Sequence, residues 1–433
     1  MRFSALDGLT IGVWGAGLET RSFARHVAAS LPAARIAVVV LEAPADAPEL
    51  TDGARVVDAA GARDALAGCD VVVRSPGVSI YRPELRGRRT TTPTALWMAE
   101  REGRGVIGVT ATKGKSTTSK LIAHLVAKAG VEVRLGGNIG APALDLLDDD
   151  APAVIELSSY QIADLQVGPE TAVVSNVYTE HVNWHGSVEA YRRDKLRLLG
   201  LPGVRRCVLN ATAPLVMAAP RAAADVFTFG AEPGWHVRED GSVARGEVVV
   251  SALPLIGRHN ALNVCGALTA LDAIGLSVPD PEAALADFVG LDHRLQIVHE
   301  AGGVRWVDDS ISTEPEAAKF AIESFPEADI VLIGGGYDRS QDYAELGVTL
   351  AARGARVFAL PDTGARLVDA ARAAGVPADR AVVMTDLAAA VAAARAAAEP
   401  GTVVLLSPAA PSFNTHKNFA ARGDHFRDLA REA

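Results

Sequence analysis

The chain has 433 residues, 49% of them hydrophobic and 22% charged, which is typical of a globular protein of two or three domains. Its formal net charge of −10 argues against a nucleic-acid partner, because phosphate backbones are held by clustered Lys and Arg. It has neither an apolar run near the ~20 residues that cross a bilayer nor a signal-peptide pattern, so we expect a cytoplasmic protein without a membrane partner.

The first predicted domain, residues 1–93, alternates short Val/Ile-rich runs with Ala-rich stretches. This rhythm predicts a parallel sheet covered by helices. After the first strand, a G-x-G-x-x-T pattern contains Gly15, Ala16 and Gly17. The second strand ends in Glu42, where an acidic side chain takes a ribose hydroxyl in dinucleotide-binding proteins. By itself the pattern leaves open an NAD(P)-dependent oxidoreductase.

The second predicted domain, residues 94–290, contains a candidate phosphate-binding loop in "GVTATKGKSTTSK". A strand leads in and an amphipathic helix leads out, so N–H groups at the helix start would attract phosphate oxygens. A strict Walker A motif, however, needs a glycine where Val109 stands. The residues leave two alternatives, a capped helix with a solvated lysine or an ATP site. In an ATP site, Lys115 would reach the terminal phosphates, and Ser116 or Thr117 would place a hydroxyl on Mg²⁺.

Polar side chains follow two further strands predicted in this domain. Glu156 ends the strand in "AVIELSSYQ" and could hold Mg²⁺ or cap a neighbouring group. After the strand in "TAVVSNV" comes a polar cluster: Asn176, Glu180, His181, Asn183 and His185. Because ligands of open α/β sheets bind at the carboxyl ends of parallel strands, the cluster predicts a ligand site.

The third predicted domain, residues 291–433, repeats the pattern of short apolar runs and Ala-rich stretches. Its low-complexity segment "DLAAAVAAARAAAEPG" predicts a helix that stops at Pro-Gly. The three series share no repeat length. The chain is therefore predicted to be three α/β domains, each a mainly parallel sheet with flanking helices, rather than a solenoid.

Several motifs in series resemble those of the Mur ligases of peptidoglycan synthesis. They are "TATKGKSTT", "GGNIG", "IELSSYQ", "NVYTEHVNWHGSVEAYRRDK", "GRHNALNV" and "DHRLQ", and the resemblance covers essentially the whole chain. It implies a Rossmann-like UDP-substrate domain, a P-loop ATPase domain and a Rossmann-like C-terminal domain. It also implies that ATP and two Mg²⁺ ions drive amide formation between glutamate and UDP-N-acetylmuramoyl-L-alanine. This reaction serves cell-wall synthesis, and through it cell shape and division.

The family's phosphate loop reads T-G-x-x-G-K-[ST]-T, and this chain departs from it at Ala111, where the family has glycine. An alanine can still present its N–H if the position does not require a positive φ. The departure leaves the shape of the loop in question more than its role.

The resemblance implies site residues motif by motif. For ATP it implies Thr112, Lys113, Gly114, Lys115, Ser116, Thr117, Asn260 at the adenine, Arg294 and Asp309. For metal it implies Ser116, Glu156, His181 and Lys195 as a carbamate, with Lys115, His181 and Lys195 as the catalytic set. For the UDP substrate it implies Gly15, Ala16, Gly17, Glu42, Ser75, Pro76, Gly77 and Asn138. For glutamate it implies Thr313, Arg339, Ser412 and Phe419. Without the resemblance, Lys195 would be taken for an ordinary helix-surface lysine.

The segment that would bind glutamate differs from that of relatives that add the D isomer. Those relatives have D-S-K-[AG]-T-N, whereas this chain has Ile311 and Glu314 in "DSISTE". Together, "DSIST" and "SPAAPSF" resemble a sister subgroup that adds L-glutamate and passes its product to an epimerase. We therefore predict L-glutamate as the substrate and an epimerase as a downstream partner; D-glutamate or another amino acid is the alternative.

Overall fold

The computed structural model describes residues 1–42, 47–223 and 225–432, which form two compact units. Unit 1 comprises Met1–Leu253 and His259–Phe288, and unit 2 comprises Pro254–Arg258 and Val289–Ala433. Among the described residues, none of the helices combines the length and apolar character that a bilayer span requires.

Unit 1 begins with a parallel sheet built from the first series of apolar runs. Its strands are β1 (Thr10–Trp14), β2 (Arg35–Val40), β3 (Arg55–Val57), β4 (Val71–Arg74) and β5 (Thr90–Thr91), in the order β3-β2-β1-β4-β5. Its helices are α1 (Leu18–Ser30), α2 (Pro48–Thr51), α3 (Ala62–Ala65) and α4 (Pro93–Glu100). Side chains of β4 alternate between two cores, with Val71 and Val73 in one and Val72 in the other. Because β1 and β4 are neighbours reached by a crossover, their carboxyl ends form a switch point of the kind that binds ligands.

A second parallel sheet of unit 1 carries the candidate phosphate loop. Its strands are β6 (Val106–Thr110), β7 (Arg134–Gly137), β8 (Ala153–Glu156), β9 (Thr171–Val174), β10 (Arg206–Asn210) and β11 (Asp225–Phe229), in the order β11-β10-β9-β6-β8-β7. A small antiparallel sheet follows, made of β12 (His236–Val237), β13 (Val243–Arg245) and β14 (Val248–Val250). Since β6 lies between β9 and β8, the loop after β6 is flanked by the ends of both strands.

The helices of this second region are mostly short. They are α5 (Lys115–Lys128), α6 (Ser159–Ile162), α7 (Val182–His185), α8 (Val188–Leu196), α9 (Pro214–Met217), α10 (Arg258–Ala273) and α11 (Pro281–Leu285). Single 3₁₀ turns cover Ser4–Leu6, Leu66–Gly68, Pro83–Leu85, Ala143–Leu146 and Arg197–Gly200.

Unit 2 is a mixed sheet with helices packed against it. Its strands are β15 (Gln296–Ala301), β16 (Val304–Asp308), β17 (Asp329–Gly334), β18 (Arg356–Ala359), β19 (Ala381–Val383) and β20 (Thr402–Leu406), in the order β15-β16-β20-β17-β18-β19. Its helices are α12 (Pro315–Glu323), α13 (Ala344–Ala352), α14 (Gly364–Ala373), α15 (Leu387–Ala397) and α16 (Phe419–Arg431). Only the β15–β16 pair is antiparallel among the described strands of this sheet.

The predicted α/β class with mainly parallel sheets is confirmed. The apolar runs form strands as predicted, and the Ala-rich low-complexity segment forms α15, which begins after an Asp386 cap. Among the strands not predicted from the sequence are β7, whose sequence "RLGG" has little apolar signal, the more apolar β10 and β11, and the small antiparallel sheet. The boundaries at residues 93 and 290 stay a prediction.

Candidate active site

Asn176 holds the candidate phosphate loop between β6 and α5. Its side-chain oxygen accepts hydrogen bonds from the backbone N–H of Thr112 at 3.0 Å and of Lys113 at 2.9 Å. Its side-chain amide donates to the Lys113 carbonyl at 2.9 Å. Gly114 has a φ of 87°, which favours glycine, whereas Ala111 lies outside this left-handed region. The alanine that replaces the family's glycine therefore fits the loop without backbone strain.

Lys115 and Ser116 lie in the first turn of α5, at the predicted phosphate position. Lys115 Nζ donates to the Thr112 carbonyl at 3.1 Å, so the ammonium group lies back over the loop. Helix N-termini attract anions through free N–H groups and the helix dipole. The arrangement can thus bind a phosphate.

α10 lies beside this loop and contributes two asparagines. Asn263 accepts a hydrogen bond from Thr118 Oγ1 at 3.2 Å and donates to Asn260 Oδ1 at 3.1 Å. A Cβ atom on Gly114 would lie 2.5 Å from Asn263 Oδ1, so the loop and helix are in close contact. Asn263 was not predicted from the sequence, although its spacing of three from Asn260 places both side chains on one face of the helix.

Glu156, at the end of β8, is 1% exposed and only half satisfied by hydrogen bonds. Its Oε1 accepts a hydrogen bond from Asn138 Nδ2 at 2.7 Å. A predicted metal ligand therefore contacts a residue predicted to bind the UDP substrate. Its Oε2 has no hydrogen-bond partner among the described residues. Buried polar atoms are usually paired, so an unpaired carboxylate oxygen fits a site that receives a cation.

Lys195, on α8, is 2% exposed, so its interpretation as a surface lysine is wrong. Its Nζ donates to the Ala111 carbonyl at 2.8 Å, directly under the phosphate loop. Burial lowers the pKa of Lys195 well below its usual value, and the charge of Lys115 lowers it further. The pattern "YRRDK" could not show this, because packing of α8 against the sheet decides which side of the helix is buried.

His181 lies at the start of α7 in the left-handed conformation, with a φ of 56°. Desolvation lowers its pKa, the nearby Glu180 carboxylate opposes that shift, and the charges of Lys115 and Lys195 add to it. The carboxylates of Glu180 and Glu156 in turn oppose the lowering of the Lys195 pKa. The predicted catalytic residues Lys115, His181 and Lys195 therefore lie close enough for their charges to interact.

Glu180 and His185, two further members of the predicted polar cluster, have separate contacts. Glu180 forms an ion pair with Lys113 at 2.5 Å. His185 is buried, with Nδ1 2.7 Å from Asp194 Oδ2 and Nε2 2.9 Å from Ser159 Oγ. His185 thus belongs to an internal network, whereas His181 is exposed and its ring lies 5.0 Å from that of Tyr160.

The loops predicted to bind the UDP substrate meet at the switch point between β1 and β4. A Cβ atom on Gly15 would lie 2.9 Å from Ser75 Cβ, and one on Gly17 would lie 2.9 Å from Ser75 Oγ, so the glycine backbone approaches the Ser75 side chain closely. The Glu42 carboxylate forms an ion pair with Arg82. The glycines and Ser75 therefore form one surface.

Three further predicted residues of these loops are held by neighbouring side chains. Ala16 accepts a hydrogen bond from Arg21 Nε at 3.0 Å. The Pro76 and Gly77 carbonyls both accept from the indole N–H of Trp184, at 3.1 and 3.0 Å. Trp184 lies within the motif "NVYTEHVNWHGSVEAYRRDK", but no role was predicted for it.

In unit 2, Asp309 is fully enclosed next to the end of β16. Its Oδ2 accepts hydrogen bonds from Ser312 Oγ at 2.5 Å and Ser407 Oγ at 2.7 Å. Burial raises its pKa to about 6, while these bonds and the charge of Arg294 oppose the shift. A carboxyl group with a perturbed pKa at a strand end marks a candidate functional position.

The residues predicted for glutamate follow neighbouring strands of the unit 2 sheet. Thr313 comes after β16, Arg339 after β17, and Ser412 and Phe419 after β20, in the strand order β16-β20-β17. Arg339 is exposed, and its guanidinium carbon lies 5.8 Å from the ring centre of Phe413. These side chains therefore come from loops at one edge of the sheet.

Arg422 supports these loops and was missed from the sequence. It is 1% exposed, and its guanidinium donates to Ser310 Oγ at 3.0 Å and to the carbonyls of Ser310 and Ala410 at 2.9 and 3.1 Å. The available signal was spacing, since Arg422, Phe426 and Ala430 recur every four residues on the buried face of α16.

Comparisons with known proteins found two matching family models and relatives that match over the full length of this chain. Residues 109–271 match the Mur ligase middle domain, and residues 293–410 match the Mur ligase, glutamate ligase domain. A relative from Micromonospora sp., named UDP-N-acetylmuramoyl-L-alanine--L-glutamate ligase, is 42% identical over 100% of this chain and 98% of its own length. A relative of the same name from Xanthomonas euvesicatoria pv. vesicatoria is 39% identical over 99% and 97%.

Solved structures show a similar fold. The MurF ligase from Thermotoga maritima, solved in complex with ADP, has a TM-score of 0.60 at 18% identity and covers 99% of this chain and 96% of its own. The UDP-N-acetylmuramate-alanine ligase MurC from the same organism has a TM-score of 0.62 at 17% identity, covering 98% and 99%.

Proposed function

The chain belongs to the Mur ligase family, and from this premise we propose that it joins L-glutamate to UDP-N-acetylmuramoyl-L-alanine with ATP as the energy source. As a family member it is an amide ligase. The observation that carries the choice of substrates is the activity for which the full-length relatives at 42% and 39% identity are named. Family membership gives no support to the NAD(P)-dependent oxidoreductase. We propose that the reaction takes place in the cytoplasm, in peptidoglycan precursor synthesis.

The phosphate loop supports ATP binding. Because Asn176 engages the N–H groups of Thr112 and Lys113, we propose that the N–H groups from Gly114 onward meet the phosphates. Lys115 would neutralise charge on the transferring phosphoryl group. We propose that Ser116 and Thr117 bind beside it, that Asn260 contacts the adenine, and that Arg294 and Asp309 also bind the nucleotide.

An unpaired carboxylate oxygen supports a proposed magnesium site. The buried Oε2 of Glu156 has no hydrogen-bond partner among the described residues, and carboxylate and hydroxyl oxygens are the ligands that Mg²⁺ prefers. Ser116, Glu156, His181 and a carbamate on Lys195 would hold two Mg²⁺ ions. When bound, Mg²⁺ would offset negative charge on the reacting phosphates.

The burial of Lys195 supports the carbamate. Burial and the charge of Lys115 lower the pKa of Lys195 and so favour the neutral amine, which is the form that attacks CO₂. The amine nitrogen forms a bond to the carbon of CO₂ and releases one proton, which leaves an anionic carbamate. The new negative charge would lie close to the positive charge of Lys115, which would stabilise it.

The proposed reaction passes through an acyl phosphate. A carboxylate oxygen is a poor leaving group, so the γ-phosphoryl group of ATP is first transferred to the alanyl carboxylate and ADP is released. The amine of glutamate then attacks the acyl carbon and displaces phosphate. The chain's contribution is positioning and charge stabilisation by groups such as Lys115.

Unit 2 is proposed to bind the incoming glutamate. Arg339 is exposed after β17 and can take a carboxylate through two parallel hydrogen bonds. Thr313, Ser412 and Phe419 would form the rest of the pocket. The departures at Ile311 and Glu314 support an altered stereochemical preference, since reversing the stereocentre requires different positions for the groups that hold the amine and α-carboxylate.

A phosphate-release assay tests this proposal. With ATP, Mg²⁺ and UDP-N-acetylmuramoyl-L-alanine, we expect turnover with L-glutamate and little with D-glutamate. Lys115→Ala should lower kcat by about 100-fold or more, because it removes a charge that stabilises the transition state. Lys128→Ala, at the far end of α5, is the matched control and should retain activity.

The outcomes separate the alternatives. Turnover with D-glutamate alone would show that the proposed isomer is wrong. The absence of turnover with either isomer would refute the glutamate ligase, and an active Lys115→Ala variant would refute the proposed role of the loop. An epimerase partner is part of the proposal only if the product carries L-glutamate.

A further inference from the structure

Trp184 joins two loops that the proposed function assigns to different ligands. It lies in α7, three residues after the proposed metal ligand His181, and is 9% exposed. Its side chain is directed at the loop of Ser75, Pro76 and Gly77, which is proposed to bind the UDP substrate. Both loops belong to unit 1.

On the substrate side, Trp184 makes three hydrogen bonds to the loop after β4. Its indole N–H is shared between the Pro76 carbonyl at 3.1 Å and the Gly77 carbonyl at 3.0 Å. Its own carbonyl accepts from Ser79 Oγ at 2.7 Å. The guanidinium of Arg74, which also donates to the Pro76 carbonyl, lies 5.3 Å from the indole centre. A movement of this loop would therefore change the contacts of the indole.

On the metal side, Trp184 packs against Tyr160. Their rings are stacked, with centres 4.4 Å apart and an angle of 16° between the planes. The ring of Tyr160 also lies 5.0 Å from that of His181. Tyr160 is four residues beyond Glu156, so the stack contacts one proposed metal ligand and follows another along the chain.

We propose that Trp184 is a positioning residue that couples binding of the UDP substrate to binding of ATP with Mg²⁺. A substrate that orders the Ser75–Gly77 backbone restrains the indole, and the indole restrains Tyr160 and the His181 segment. The same contacts act in reverse, because coupling between two binding sites is reciprocal. This inference rests on the proposed function, which supplies the two ligands.

Two tryptophans of unit 1 allow a matched comparison. Trp184→Phe keeps an aromatic ring against Tyr160 but removes the N–H that binds Pro76 and Gly77. Trp97→Phe is the control, because Trp97 is also buried and its indole N–H donates to a backbone carbonyl, that of Leu146, at 3.2 Å. Ser79→Ala is a milder second variant, which removes the hydroxyl that binds the Trp184 carbonyl.

The coupling is measured by isothermal titration calorimetry. The dissociation constant of UDP-N-acetylmuramoyl-L-alanine is determined with and without saturating Mg²⁺ and a non-hydrolysable ATP analogue. We expect the wild type and Trp97→Phe to show at least about a fivefold difference between the two conditions. Trp184→Phe should show a ratio close to one, and Ser79→Ala an intermediate ratio.

Three results would overturn the coupling. The first is a ratio of dissociation constants of one in the wild type, and the second is a wild-type ratio in both Trp184→Phe and Ser79→Ala. The third is a ratio that falls as far in Trp97→Phe as in Trp184→Phe, which would indicate a general effect of lost stability. A wild-type protein that binds neither ligand would refute the proposed function itself, and the coupling with it.

Discussion

At the scale of single residues, several ionisable groups are enclosed where their charge is costly. Asp309 is 3% exposed, and its pKa of about 6 shows that burial outweighs the hydrogen bonds from Ser312 and Ser407. Glu156 and Lys195 are similarly enclosed. Groups of this kind reduce stability and are typical of functional sites, where ligand binding compensates for their burial.

Asp309→Asn should remove a pH-dependent loss of stability. The folded-state pKa of about 6 lies above the ordinary value of 3.8, so the folded protein binds more protons between these values. The contribution of Asp309 to the free energy of unfolding is therefore greatest below about pH 4 and falls as the pH rises to about 6. Above that pH the free energy of unfolding is lower by about 3 kcal/mol. The asparagine variant should lack this fall, because it does not titrate.

Urea unfolding at pH 4.5, 5.5 and 7 measures the difference. Asp369→Asn, exposed on α14 of the same unit, is the control and should follow the wild type. Equal pH dependence in Asp309→Asn and the wild type would contradict the prediction. If Asp309 also binds nucleotide, its variant should lose ATP affinity while gaining stability at pH 7.

At the scale of elements, the strand–loop–helix unit of β6 and α5 shows which departures from a motif matter. Ala111 is 1% exposed and lies outside the left-handed region, so a side chain is accommodated there. Gly114 is different, because its φ is 87° and Asn263 leaves no space for a Cβ atom. The loop therefore requires glycine at position 114 but not at position 111.

Gly114→Ala and Ala111→Gly should therefore have unequal effects. Gly114→Ala must displace Asn263, breaking its bond to Thr118, and should cost about 1–3 kcal/mol of stability together with most of the nucleotide affinity. Ala111→Gly should cost only about 0.5–1 kcal/mol, through the added freedom of the unfolded chain, and should keep ATP affinity. Thermal unfolding and binding of a fluorescent ATP analogue measure both, and similar losses in the two variants would contradict this account.

At the scale of the whole molecule, unit 1 contains both parallel sheets, and their residues share one hydrophobic core. A buried polar network reinforces this core. Arg74, at the end of β4, forms an ion pair with Asp164 at 2.7 Å, with side chains 0% and 5% exposed. Glu19 accepts from Gln161 and Thr94, each at 2.7 Å. The loops of the two sheets are thus held together within the unit.

Asp164→Ala should destabilise the protein strongly. Burial lowers the pKa of Arg74 and raises that of Asp164, so the pair is stable only while both members are present. Loss of the carboxylate leaves a buried guanidinium without its ion-pair partner, at a cost of about 3–5 kcal/mol in the free energy of unfolding. Denaturant unfolding measures this loss.

The double variant Arg74→Met/Asp164→Leu serves as the control. It should recover part of the lost stability, because no buried charge remains, but it should still bind the UDP substrate poorly. Arg74 also donates to the carbonyls of Pro76 and Val78, and these bonds would be absent. If the double variant is no more stable than Asp164→Ala, the unpaired charge is not the cause of the lost stability.

Apolar runs such as "VVVR" and "VLIGGG" predicted most strands of the parallel sheets, because a strand buried on both faces needs side chains that are apolar throughout. β7 was not predicted because "RLGG" carries little apolar pattern, and the antiparallel sheet was not predicted because its strands have only two or three residues each. Motif spacing predicted the family and the candidate residues, since ligand-binding loops keep their residue types in a fixed order along the chain. Their roles, and the boundaries of three domains, stay predictions.

The sequence by itself determined the fold class and the family, because each depends on local pattern and order. Only the tertiary structure decided that Lys195 is buried and bonded to the Ala111 carbonyl, and that Trp184 contacts both the loop after β4 and Tyr160. It also decided that one oxygen of Glu156 has no hydrogen-bond partner among the described residues. Each of these facts depends on contacts between residues far apart in the chain. Burial and hydrogen bonding arise from such packing, and no local pattern specifies them.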